Sequence, residues 1–158
     1  MSTSTAAGTA SRVLSEGYGA GAWHGPDMKA ALADVTPSVA FWRPAEGRHN
    51  IAEIALHHAY CTRVVRTKIS GSKDEPFVLD GEDWFVIEDE STLSWPTILS
   101  TVEGEHASLA SLVSVIEAGR PGSSLAEPER IDLALGIACH AVYHAGQIQL
   151  IKRLREQA

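Results

Sequence analysis

The chain has 158 residues, 44% of them hydrophobic and 21% charged, which is the composition of one folded domain with a sizeable core and not of a disordered chain. Against 20 acidic residues stand 13 basic ones, a formal net charge of -7. No basic block occurs outside the last few residues, so nucleic-acid backbone is disfavoured as a partner.

Residues 1–8 are small and polar and read as a flexible tail. "MSTSTAAGTASR" lacks the apolar run of a signal peptide, and no segment approaches the roughly 20 apolar residues of a membrane span. A cytoplasmic protein without membrane contact is expected. A helix can follow the tail to about Gly17, where the Gly-rich "GYGAGAWHGP" interrupts it. Pro26 can open a short helix through "DMKAALADV", its missing N–H being unneeded in a first turn. "TPSVAFWRPAEGRHN" reads as connection, with Thr36 able to cap a turn and Pro44 ending it. Asn50 and Glu53 have capping-box spacing, and helical apolar periodicity continues to about Ile69. "SGSKDEP" stops that helix, and "FVLDGEDWFVIEDES" is an acidic link with at most a short strand or turn. Ser94 can cap a third helix that tolerates Pro96 in its first turn and stops at Gly119. The last helix runs from about Glu129 to Gln157 and ends in the basic "KRLRE" that suits a helix C-terminus. The pattern predicts an all-α bundle forming a single domain over residues 1–158.

On the last helix, Leu133, Ile137, His140, His144, Gln147, Ile148, Ile151 and Leu154 fall within about 120° of one another, so both imidazoles face the interior. Buried neutral histidines need hydrogen-bond partners, and a pair spaced HxxxH on a helix is a good chelate for a cation. In "ALHHAYC", His57 and His58 both border the arc of Ile54, Cys61, Val64 and Val65; periodicity does not choose between them, though His57 shares its side with Glu53. His106 lies on the stripe of Leu99, Val102, Leu109 and Val113 and reads as a core histidine, with an outer-shell role as the alternative. Glu53 reads first as a capping residue and second as an outer-shell group. Cys61 and Cys139 lack CxxC spacing and read as small buried hydrophobes, which fits a reducing compartment. Trp23, Trp42, Trp84 and Trp95 lie in or beside loops, where they can cover a bundle end or line a pocket.

"NIAEIALHHAY", followed much later by "CHAVYHAGQIQLIKR", resembles the DinB-like superfamily of metal-binding four-helix bundles, which includes the YfiT-type hydrolase-like proteins and relatives of mycothiol- and bacillithiol-dependent enzymes. The resemblance covers nearly the whole chain. It implies a four-helix bundle with a long crossover connection, often a homodimer, with His57, His140 and His144 as metal ligands. "AWHGP" resembles a stretch near the pocket mouth in one branch, which implies an outer-shell or substrate-contacting role for His24. One divalent ion per chain is implied, and three imidazoles do not distinguish Zn²⁺, Ni²⁺ and Fe²⁺. With no fourth protein ligand evident, the implied function is a metal-dependent, hydrolase-like enzyme whose open position activates water on a small-molecule substrate. The alternatives are a metal-dependent thiol S-transferase and a non-catalytic metal-binding bundle.

Overall fold

The computed structural model describes residues 8–19, 21–22, 24–73 and 75–158. Of the expected tail only Gly8 is among them, as the N-cap of the first helix; the expectations for residues 1–7 and for Trp23 lie outside the described residues. Among the described residues the helices in chain order are α1 (Thr9–Tyr18), α2 (Met28–Leu32), α3 (Pro37–Ala40), α4 (Ile51–Ser70), α5 (Trp95–Glu117) and α6 (Glu127–Glu156), and no strand occurs.

Local chemistry sets the ends of the long helices. Asn50 Oδ1 accepts the Glu53 N–H at 2.8 Å and Glu53 Oε2 accepts the Asn50 N–H at 3.3 Å, so two donors that the first turn of α4 leaves unpaired are satisfied reciprocally. Gly71 stops α4 at φ 67, a left-handed conformation that an L side chain resists, and its N–H bonds Thr67 O at 2.8 Å. The Ser94 hydroxyl accepts the Thr97 N–H at the start of α5. α6 begins at Glu127, two residues earlier than the periodicity predicts, because Pro128 fits a first turn and the Glu129 carboxylate accepts the Ala126 N–H at 2.9 Å.

α4 packs on α5 and α6, and α1 packs on the other sides of those two helices, so α1, α5, α4 and α6 close a four-helix ring with α2 against α6. Residues 19–50 form the long connection between α1 and α4 and carry α2 and α3. The fold is thus the all-α bundle that the pattern predicts, with the four helices and long crossover that the resemblance implies. α1 crosses α6 closely at Gly17, where a Cβ would lie 2.9 Å from both Cα and Cβ of Ala138, so only glycine permits the approach.

Two apolar clusters fill the bundle. One gathers Met28, Ile51, Ile54, Leu56, Ile98, Val102 and Ile148, and the other Leu14, Ile69, Leu109, Val113, Ala134 and Ile137. Where they meet, α4 contributes His58 and Thr62, α5 His106 and α6 His140; His58, Thr62 and His106 line a small cavity there with Leu14 and Tyr18. α6 buries Ile137, His144, Ile148 and Ile151 as its periodicity predicts, but Leu154 is 41% exposed because the helix runs on past the core after Ile151.

Candidate metal centre

His57 comes from the middle of α4, and His140 and His144 lie one turn apart on α6, so the α4–α6 contact brings the three rings together. His57 Nε2 lies 3.1 Å from His140 Nε2, and His144 Nε2 lies 3.1 Å from the same atom. Nitrogens bound to one four-coordinate ion at 2.0–2.1 Å stand about 3.3 Å apart, so the spacing suits a single small cation.

The far sides of the rings decide which nitrogens carry protons. His57 Nδ1 is 2.9 Å from the carbonyl oxygen of Asp83 and 3.1 Å from its Oδ1, and His144 Nδ1 is 2.6 Å from Gln147 Oε1. These oxygens accept, so both Nδ1 atoms donate and both Nε2 lone pairs point inward. His140 Nδ1 faces His58 Nδ1 at 3.0 Å, and His58 Nε2 approaches the Thr62 hydroxyl at 3.5 Å. A proton on His140 Nδ1, donated to His58, turns the third Nε2 lone pair inward as well. Lone pairs converging with no hydrogen between them repel, and a cation at their meeting point relieves that repulsion; the donor set therefore fits a divalent metal.

Burial favours the neutral form of His140, His144 and His58, the form in which an imidazole can ligate. It pushes the His140 value down to about 4, with His144 and His57 adding to the effect. Burial also lowers His144, aided by His57 and His49 and opposed by the bond to Gln147. His58 is held well below the ordinary imidazole value, first by burial and then by its histidine neighbours.

The chain matches the family model of the DinB superfamily over residues 22–148, most of its length and all three converging histidines. The chain belongs to the DinB superfamily. No curated protein and no solved structure matches it.

In this DinB-superfamily bundle the link between α4 and α5 closes one side of the site. Trp84 is sandwiched between two imidazoles, with ring centroids 3.8 Å from both His49 and His57 and interplanar angles of 10° and 6°. Asp83 turns at φ 65, and both its carbonyl and its carboxylate reach His57 Nδ1. Glu53 anchors the link: its Oε1 accepts the Ile87 N–H at 3.1 Å, while Asn50 Nδ2 donates to Ile87 O at 2.7 Å. Arg43 forks onto both Glu53 oxygens, at 2.6 and 3.0 Å, and His49 Nδ1 meets Oε2 at 3.0 Å. Burial alone would raise the Glu53 value, but the bonds from Arg43, the Ile87 N–H and His49 outweigh it and hold the carboxyl below its ordinary range.

The other residues singled out in the sequence fall as follows. His58 stands behind His140 and outside the three-ring cluster. His24 is exposed and bonds Glu16 O at 3.1 Å at the end of α1. His106 stacks on Tyr18, with ring centroids 3.8 Å apart. Cys61 is partly buried, its Sγ 3.8 Å from His57 Nε2, and together with His57 and Asp83 it forms a second group of donor atoms. Cys139 is exposed and not a core residue, because it lies on the outer face of α6. Trp95 is buried with its indole N–H on Val35 O at 2.7 Å. Sequence reasoning assigned no role to Asp83 or Gln147. Gln147 had a readable signal, three residues after His144 on the same face, whereas Asp83 reaches the site only through the path of an irregular link.

Proposed function

We propose that this protein binds one divalent transition-metal ion through Nε2 of His57, His140 and His144 and hydrolyses a small-molecule substrate there. The observation that carries the reading is the convergence of three Nε2 atoms at 3.1 Å spacing with every Nδ1 already engaged. A bound divalent ion supplies Lewis acidity, which polarises a substrate carbonyl and eases ionisation of water. The chain's own residues do the rest. Asp83, His58 and Gln147 orient the three imidazoles, and Trp84 walls the His57 side against bulk solvent. Gln147 Nε2 also donates to Tyr143 Oη at 3.2 Å, which ties an exposed phenol beside His144 to the same network.

A second reading, a closed structural metal site, is favoured by Cys61. Its thiol is pushed up to about 11, chiefly by burial, and its sulfur lies 3.8 Å from His57 Nε2, in a second donor group with His57 and Asp83. The test has two stages. Elemental analysis after controlled loading gives about one ion per chain in the parent and well under that in His144→Ala. Ester, amide and low-molecular-weight thiol-transfer substrates are then screened with and without metal. Metal-dependent hydrolysis absent from His144→Ala supports the proposal, turnover only with thiols supports transferase chemistry, and Cys61 sulfur ligation in an absorption spectrum of the cobalt-loaded protein supports the structural reading.

A further inference from the structure

Apart from the histidine cluster, the link after α4 folds back over Tyr60, Arg63 and Thr67 of that helix and bounds a cavity of about 210 Å³. Its apolar wall is held by aromatic packing: the Phe77 ring stands edge-on to Tyr60 at 5.5 Å and tilted against Phe85 at 5.4 Å between centroids. Arg63 brings a charge to this cavity that the chain leaves uncompensated. The residue is 6% exposed, yet its guanidinium makes neither a hydrogen bond nor an ion pair among the described residues. Phe77 lies against it, with the ring centroid 5.6 Å from Cζ. A ring covers one face of a guanidinium, whereas the five N–H groups lie in its plane, so stacking satisfies none of them. Nearby polar groups are engaged elsewhere. Arg66, three residues on, takes both Glu105 and Glu75 at 3.4 Å, and the Thr67 hydroxyl donates to Val64 O at 3.0 Å. Among the described residues no buried side-chain nitrogen or oxygen lacks a partner, so the unpaired N–H groups of Arg63 open onto the cavity they line.

The rim carries the opposite sign. Asp80 and Glu82 line the same cavity, are exposed, and make no ion pair among the described residues. A plain anion at Arg63 would be repelled by these carboxylates, whereas a molecule with a cationic group beside its anion answers both charges. We propose that the cavity binds a zwitterionic α-amino acid with an apolar side chain. The ligand carboxylate takes the planar N–H fork of Arg63, which a buried guanidinium without a counter-charge needs. Its ammonium group faces Asp80 and Glu82, and its side chain lies on Phe77 and Leu79. The cavity has the volume of about seven water molecules, which suits a ligand of amino-acid size and excludes a nucleotide.

Calorimetric titration of the metal-free full chain tests this independently of the metal reading. Three probes of one shape separate the charges: L-leucine, 4-methylpentanoate, which lacks the ammonium group, and 3-methylbutylamine, which lacks the carboxylate. L-Leucine should bind with a Kd of about 1 mM or tighter, and the other two about 10-fold more weakly or worse. Arg63→Met keeps the length and removes the charge, and should weaken leucine binding by about 10-fold or more with the circular dichroism unchanged. Asp80→Asn combined with Glu82→Gln, changes at exposed positions, should bring leucine and 4-methylpentanoate to within about 3-fold of each other. His144→Ala should bind leucine as the parent does, which separates this cavity from the histidine centre. No leucine binding up to about 50 mM, well above the millimolar range of a weak specific ligand, overturns the proposal. So does equal binding of leucine and 4-methylpentanoate by the parent, a leucine affinity unchanged in Arg63→Met, or one lost in His144→Ala.

Discussion

His58 and His140 face each other Nδ1 to Nδ1 at 3.0 Å, so one proton serves both rings. A metal at His140 Nε2 requires that proton on His140, with His58 as acceptor. In the proposed metal-bound state His58 would thus fix the tautomer and the angle of the His140 ring. Such outer partners typically contribute 10–100-fold to metal affinity. His58→Ala is therefore expected to lower affinity by about that factor while leaving one ion per chain, as measured by competition with a chromogenic chelator. An unchanged affinity would mean that packing alone holds His140. A zero stoichiometry would mean that His58 is itself a ligand.

The N-terminus of α4 and the link around Asp83 form one unit through Glu53. That carboxylate caps the helix, pairs with Arg43 and His49, and holds Ile87. Ile87 is fully buried, so the hold fixes where Asp83 and Trp84 lie against His57. Glu53→Gln keeps the shape and removes the charge; a loss of about 2–3 kcal/mol at neutral pH is expected. The sign of the pH dependence follows from the depressed folded value. The unfolded chain takes up the proton near 4.5, before the folded chain does, so this contribution is complete above 4.5 and is lost as pH falls through the folded value. Urea melts of the parent and Glu53→Gln should therefore differ at pH 7 and converge toward pH 3. A constant gap across that range would assign the effect to packing instead of charge.

For the molecule as a whole, the proposed ion binding would be linked to folding, because the three nitrogens converge only when α4 lies against α6. An ion held at 100 times its dissociation constant adds about 2.7 kcal/mol. In a domain of this size that raises the melting temperature by about 5–11 °C. Calorimetry with and without a chelator should show the shift in the parent and its loss in His57→Ala. An equal shift in both would place the stabilising ion elsewhere.

What the sequence determined by itself was local and periodic. Asn50 with Glu53, Ser94 with Pro96, and the glycines Gly71 and Gly119 mark helix ends through hydrogen bonds and backbone angles that act within a few residues, so the element boundaries were legible. His140 and His144 were legible as a pair because a helix turns i and i+4 to one side. Tertiary structure decided what depends on residues far apart in the chain. His57 and His58 both border the apolar arc of α4, and only the approach of α6 directs one ring into the cluster and the other behind His140. Asp83 and Trp84 belong to a link with no repeating pattern, and their place beside His57 follows from the Glu53 and Asn50 bonds to Ile87, a contact across more than 30 residues. Leu154 and Cys139 carry the composition of a core but face outward, because a periodicity records that a face is apolar and not whether the surface covering it lies in the same molecule.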